Sequence, residues 1–316
     1  MGGGVLSFVV RRALSAALLV LAVASASLVL ARLAPGDHLS GFDSDPQVAA
    51  AERSRLGLDR PLVVQYAIWL RGLSRFDLGE STKYPGRAVG GLIAERAGYS
   101  ARLGILALVV ATAVGIPAGI VTGSTRRGPA ASTLEALAIG LIAVPPIILS
   151  LALLLVASRT GWFPVGGLPP DAGLAGHARY LVLPVLALAL PMGAVLERLQ
   201  SGAMADALAD PAIAAARARG LPRARIVWRH AFRLSLRPVL GVYGVVIGTL
   251  ISGSFVVEYV MTWPGLGRLM YEALVNRDAN LVAGCAAAGA VFLALGVLLA
   301  DIALAMLDPR AEGLSR

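Results

Sequence analysis

The chain has 316 residues, of which 57 % are hydrophobic and 15 % charged, with a mean hydropathy of +0.75. A soluble fold of this length has no use for so much apolar surface, so the composition excludes a soluble globular protein and indicates a polytopic membrane protein. The formal net charge of +9 could suggest nucleic acid, but the charges sit at the ends of apolar runs instead of forming a groove-binding stripe, which sets nucleic acid aside.

The first apolar run opens after Arg11 and Arg12 and extends from Ala13 to Ala31. Ala24-Ser25-Ala26 resembles a cleavage site, yet the run continues past it, as an uncleaved span does and a signal peptide does not. Six stretches in all approach the roughly 20 residues that cross a bilayer: 8–31, 101–123, 131–157, 180–199, 238–257 and 281–306. Pro117, Pro145-Pro146, Pro184 and Pro191 lie inside these runs and predict kinks beside neighbouring helices. Cys285, the single cysteine, sits in an apolar run, so no disulfide framework or cysteine metal site is expected.

Residues 32–98 mix both signs of charge and contain helix-like pieces at Gln47–Leu56 and Pro61–Leu73, which predicts a small external helical cap. Charge asymmetry sets the orientation of the rest. Arg11-Arg12, Arg126-Arg127 and the 197–237 loop are cytoplasmic candidates; that loop carries eight arginines against Glu197, Asp206 and Asp210. The opposite loop, 258–280, has Glu258, Glu272 and Asp278 against Arg268 and Arg277. Both termini are therefore expected in the cytoplasm. The expected organisation is a first span through residue 31, the cap at 32–98, a five-helix core at 99–306 and a cytoplasmic tail at 307–316.

Residues 210–238 form a basic helical loop between apolar segments. Asp210-Pro211 reads as an N-cap and first-turn pair and Gly220 as a helix stop, enclosing a short Ala-rich helix that would let another protein approach closely. After Pro222 a second helix is predicted, with Arg225, Arg229, Arg233 and Arg237 on one face and Ile226, Val227, His230 and Leu234 on the other. Further on, Trp263 followed by Pro264-Gly265 and Gly267 predicts a turn.

An embedded enzyme is the rival class, and its chemistry is missing. His38, His177 and His230 each stand alone and outside the spans, so a metalloprotease helix with paired histidines is not present. Ser252 and Ser254 have no base at depth and read as hydroxyls bonding a neighbouring carbonyl. Asp301 is the acid deepest in an apolar run; a proton relay and contact with a partner helix are both open, and we take the second. No phosphate loop occurs, so any ATP is bound by another chain. Nothing marks an autonomous channel's filter.

Leu33-Ala34-Pro35-Gly36-Asp37, then Leu56-Gly57-Leu58-Asp59-Arg60-Pro61 with Val64-Gln65-Tyr66 and Trp69-Leu70, then Phe76-Asp77-Leu78-Gly79 follow one another along the chain. In this order they resemble the B-type integral-membrane permease subunit of binding-protein-dependent dipeptide/oligopeptide ABC importers. Ala215-Ala216-Arg217-Ala218-Arg219-Gly220-Leu221 with His230-Ala231 and Pro238 resembles the family's EAA loop. Glu258 with Trp263-Pro264-Gly265-Leu266-Gly267-Arg268-Leu269, then Arg277-Asp278, resembles its external loop, and Asp308-Pro309-Arg310 its tail. The general EAA motif has Glu six residues before the glycine, where this chain has Ala214, so no salt bridge to an ATPase is expected from that position.

The resemblance implies an all-α polytopic bundle of six transmembrane helices, the type I ABC importer permease, in a bacterial cell membrane. It implies a coupling loop within 200–237, with Ala214, Ala215, Ala216, Arg217, Ala218, Arg219 and Gly220 docking on a cytoplasmic ATP-binding subunit. Arg225, Arg229, Arg233 and Arg237 are assigned to anionic lipid headgroups or to intrachain pairing. Glu258, Trp263, Pro264, Gly265, Leu266, Gly267 and Arg268 would form an external gate or meet the binding protein, with interfacial anchoring of Trp263 as the plainer alternative. ATP and Mg would be held by partner subunits, with no cofactor in this chain. Expected partners are a homologous second permease, ATPases, an external or lipid-anchored binding protein and membrane lipids. Peptides are the expected solute; relatives of the family carry nickel, glutathione or haem.

Overall fold

Prolines and glycines decide where this mostly apolar chain breaks. A computed structural model describes residues 2–35, 51, 53–125, 128–169 and 173–307. Gly36-Asp37, His38, Arg126-Arg127, Pro170, Asp308-Pro309-Arg310 and half of the expected helical piece at 47–56 lie outside the described residues. Among the described residues there is no strand, only one antiparallel bridge between Glu80 and Ala88.

The helices whose bounds fall within the described residues include α1 (Gly2–Leu33), α2 (Leu62–Leu73), α3 (Val89–Ser124), α4 (Pro129–Ala143), α5 (Pro146–Thr160), α6 (Leu174–Ala209), α7 (Pro211–Ala218), α8 (Phe232–Gly241), α9 (Tyr243–Val260), α10 (Leu266–Val275) and α11 (Ala279–Leu307). A helical turn at Arg223–Arg225 and a wide π-helical stretch at Ile226–Ala231 lead into α8. Among the described residues, five helices are long and apolar enough to cross a membrane by themselves: α1, α3, α6, α9 and α11. The run expected as the third span is instead the pair α4 and α5, bent by 107°. Pro145 and Pro146 explain the bend. Each lacks an amide hydrogen and forces its predecessor out of the helical region, so Val144 (φ −91°, ψ 114°) and Pro145 (φ −59°, ψ 144°) are extended. Pro117, Pro184 and Pro191 lie within α3 and α6 and do not end them.

The chain forms two compact units. The first comprises Met1–Ser100 and Pro264–Ala294. Ala24 and Leu28 of α1, Trp69 of α2 and Ala279, Ala283 and Ala287 of α11 make one cluster within it. Val89 and Leu92 pack with Leu269, Ala273, Leu281 and Cys285 in another. Asp278, fully buried, organises the start of α11. It accepts bonds from the Leu281 amide (3.0 Å), the Ser81 hydroxyl (2.6 Å) and the Lys83 amide (3.1 Å).

The second unit comprises Ala101–Trp263 and Leu295–Arg316. Its centre is a small-residue seam between α3 and α6. A methyl group at Gly115 would stand 2.3 Å from the Gly193 carbonyl, and one at Gly119 would stand 2.6 Å from the Glu197 carbonyl. Without a hydrophobic force between helices in lipid, such close backbone approach supplies the association. The seam also buries polar groups. Glu197, expected among the loop charges, is only 2 % exposed and accepts a bond from the Thr122 hydroxyl. One turn on, the Gln200 amide donates to the Ser235 hydroxyl of α8 at 2.7 Å.

Candidate functional site

The short helix α7 has a complete set of end signals. The Asp210 carboxylate accepts the Ala212 amide at 2.7 Å, and Pro211 takes the first helical position, where its missing N–H costs nothing. At the other end Gly220 adopts φ +78°, its amide bonds the Arg217 carbonyl at 3.0 Å, and the Leu221 amide bonds the Ala216 carbonyl at 3.4 Å. This paired closure with a left-handed residue is the Schellman arrangement.

Burial of Ile213 and Ala216 fixes which face looks out. Ile213 and Ala216, at 2 % and 3 % exposure, turn inward, and α7 packs against α6 and the π-helical stretch. Ala212, Ala214, Ala215 and Ala218 are exposed, together with Arg217, Arg219 and Gly220. Six of the seven expected docking residues therefore lie on an accessible surface, and Ala216 anchors them from below. The outward face is nearly smooth, with two guanidinium groups beside it.

That surface is joined firmly to the spans. Asp210 is at once the last residue after α6 and the cap of α7. Arg223 donates to the Ser124 carbonyl at the end of α3 at 2.9 Å. The π-helical stretch does not disturb the expected amphipathic division: Arg225, Arg229, Arg233 and Arg237 are exposed, Ile226 and Val227 buried, and His230 and Leu234 half-buried. Trp228 also faces outward, at 55 % exposure.

The expected external-loop residues behave differently. In the second unit Glu258 and Trp263 are 0 % and 2 % exposed, and the Trp263 amide bonds the Glu258 carbonyl at 2.8 Å. Burial of the indole inside the protein rules out a role for Trp263 as an interfacial anchor. In the first unit Gly265, Leu266 and Gly267 are buried, and the Leu266 amide donates to the Ser100 hydroxyl at 2.8 Å. Arg96 reaches the Pro264 carbonyl at 3.5 Å, and Arg268 pairs with Glu272 at 3.2 Å. Tyr84 donates to the same Glu272 carboxylate at 2.7 Å. Burial, and then the bond to Glu272, push the Tyr84 hydroxyl up to about 12.

Sequence reasoning read Glu272 only as a loop charge, used Asp278 as a loop charge and as part of the external-loop resemblance without a structural role, and passed over Tyr84 entirely. An acid three residues before the run beginning at Leu281 is an N-cap signature that would have found Asp278. The Thr122–Glu197 bond joins residues 75 apart in sequence and has no local signal. Among the described residues no three His, Cys, Asp or Glu side chains converge to hold a metal ion.

Comparison with known proteins agrees with this architecture. Residues 115–313 match the family described as binding-protein-dependent transport system inner membrane component, and residues 5–84 match the corresponding N-terminal family. The oligopeptide transport system permease protein AppB of Bacillus subtilis is 32 % identical, over 97 % of this chain and 99 % of its own length. The oligopeptide transport system permease protein OppB of Salmonella typhimurium is 31 % identical, over 96 % of this chain and 99 % of its own. A chain of the inward-facing MetNI methionine ABC transporter shares the fold, with a TM-score of 0.57 and 17 % identity, over 69 % of this chain and 96 % of that one. The chain belongs to the family of binding-protein-dependent transport system inner membrane components; it is a multi-pass permease subunit of an ABC importer.

Proposed function

We propose that this chain is half of the translocation pathway of an ATP-driven peptide importer in a bacterial cell membrane. A homologous second permease supplies the other half, and cytoplasmic subunits bind ATP and Mg. The observation that carries the reading is α7: a capped helix exposing four alanines and two arginines, held from beneath by Ile213 and Ala216. A lipid-facing basic segment needs charge, but it needs neither a smooth small-residue face nor a closure at both ends.

ATP-driven closure of the ATPase pair would push on α7. Because Asp210 ends one helix and caps the next, displacement of α7 passes directly into α6. Through the glycine seam, α3 must follow, since nothing at Gly115 or Gly119 leaves room for slippage. The spans then alternate between an outward state that receives peptide from an external binding protein and an inward state that releases it. The arginine-rich loop and both termini face the cytoplasm. Residues 258–268, largely buried, serve as a packed gate element in preference to a docking surface for the binding protein. Peptide as the solute rests on the oligopeptide relatives, each matched over nearly its full length.

The test is purification of the chain from its own membrane in mild detergent, with mass spectrometry of the associated proteins. We expect a second permease, ATP-binding subunits and a binding protein whose retained ligand is a peptide. Recovery of the chain alone, or as a homo-oligomer without any ATPase, would overturn the assignment of α7.

A further inference from the structure

The first unit contains a cleft of about 170 Å³ between the end of α1, α2 and the start of α11, and it has no part in the transport reading above. Its polar lining comes from Arg32, Gln65, Trp69, Asp77 and Asn280. Among the described residues, three buried polar atoms here have no hydrogen-bond partner: Nε of Arg32, Nε1 of Trp69 and Oε1 of Gln65. Buried groups of this kind normally find one.

Each side chain is held in place by its other contacts. Trp69 is 8 % exposed and stacks on Tyr66 with ring centroids 5.9 Å apart, and the Tyr66 hydroxyl is fixed by Ser25 at 2.9 Å. Arg32 does not snorkel outward. One guanidinium nitrogen bonds the Asn280 side-chain oxygen at 3.3 Å, and Asn280 is oriented by donating to the Glu80 carbonyl at 3.1 Å. Gln65 spends its amide hydrogens on the Arg60 and Leu58 carbonyls, at 2.8 and 3.2 Å, which leaves its oxygen open. The nearby acids are already engaged: Asp278 accepts three bonds, and Asp77 accepts the Gly79 amide at 2.8 Å.

Two unpaired donors, one on a cation, make a receptor for an anionic oxygen group. The surroundings indicate where that group comes from. At 12 residues α2 is too short to span a bilayer, yet Val63, Val64 and Ile68 are 78 %, 41 % and 52 % exposed on it. A helix of this length and exposure suits the plane of a membrane interface. On α1, Leu30 and Leu33 flank Arg32 at 68 % and 64 % exposure. A polar cleft opening among exposed aliphatic side chains suits an amphiphile. We propose that this cleft binds the phosphate of a membrane phospholipid headgroup through Arg32 and Trp69, with the acyl chains along α1 and α2. Gln65 Oε1 then accepts from a headgroup ammonium or hydroxyl.

The test uses the intact transporter complex in nanodiscs of phosphatidylethanolamine and phosphatidylglycerol. It is extracted into detergent, washed exhaustively, and its retained phospholipid is counted by native mass spectrometry. The wild type should keep one tightly held phospholipid per chain, and inorganic phosphate or a tripeptide should not displace it. Trp69→Phe, which keeps the ring and removes only the N–H, and Arg32→Gln should each weaken retention roughly tenfold, as loss of a hydrogen bond to a charged group does. Partner subunits and melting temperature should stay as in the wild type for Trp69→Phe. Absence of a retained lipid, or equal retention in the variants, would overturn the site. Displacement by phosphate or by the tripeptide would mean a free anion or a solute carboxylate is the occupant, and the lipid assignment would fall.

Discussion

Two segments stand out in this chain for the same reason, a compact run of glycine, small or aromatic residues beside charges, and the fold treats them in opposite ways. In 214–220 only Ala216 is buried, whereas in 258–268 most of the expected site residues are, with Trp263, Glu258 and Leu266 at 2 %, 0 % and 0 % exposure. On the function proposed above, the difference separates two kinds of motif. A segment that meets another molecule keeps its distinctive side chains outside and hides an ordinary anchor such as Ile213. A segment that organises its own chain does the reverse, placing its large and polar side chains where packing and hydrogen bonds restrict them.

The contrast breaks first, if it breaks, at Trp263. Trp263→Ala removes a fully packed indole and should cost about 3–5 kcal/mol. The loss should appear as a large drop in melting temperature of the detergent-solubilised protein, with or without ATPase present. A variant that melts like the wild type but no longer responds to the binding protein would place Trp263 on a docking surface. The matching change in the other segment is Ala215→Trp. It adds bulk to an exposed face, so the melting temperature should hold within a degree or two, while co-purification of the ATP-binding subunits falls at least tenfold, about 1.4 kcal/mol. Unfolding of Ala215→Trp, or undiminished association, would remove the distinction between the two segments.

Some of this was legible residue by residue. Asp210-Pro211 and Gly220 mark the ends of α7 through local backbone chemistry, and local chemistry is what a sequence carries in the open. The apolar runs located the five long apolar helices α1, α3, α6, α9 and α11, and the Pro145-Pro146 pair contained the break between α4 and α5, although a run that is apolar throughout disguises a 107° bend. Which face of α7 looks outward was not legible, because alanine has no preference strong enough to decide it; Ile213 decides it. Burial of Glu197 depends on Thr122 and on the glycines of α3, all far away in sequence. Trp263 left its readings open for a related reason: an indole suits an interface and a core equally well, and only its neighbours choose.

A smaller effect sharpens the account of α7. Asp210→Ala removes the cap at one end and should cost about 1 kcal/mol of local helix stability. Global melting should barely change, because only one end cap of one short helix is lost while Ile213 and Ala216 stay buried. Association with the ATP-binding subunits should fall a few-fold, and Asp210→Ser should restore most of it. If Asp210→Ser is as impaired as Asp210→Ala, the carboxylate touches the partner directly and its role is not that of a cap.

The finest test concerns the hydroxyl of Tyr84, outside the spans, whose partner Glu272 also holds Arg268. Burial, then Glu272, raise its ionisation to about 12, against about 10 for a free tyrosine. A raised folded value means the neutral form is the one the fold favours. The stability it contributes is therefore complete below about pH 10 and declines as pH rises through about 12. The difference in tyrosinate absorbance between wild type and Tyr84→Phe isolates this one group, and it should titrate near the upper end of that window. Glu272→Gln should move the midpoint down by removing the carboxylate that opposes ionisation, but not back to about 10, because burial is the larger cause. A midpoint already near 10 in the wild type would mean that the Tyr84–Glu272 bond opens in solution. The Arg268 end of the loop would then rest on its other contacts, among them the Arg268–Glu272 pair and the bond from the Leu266 amide to the Ser100 hydroxyl.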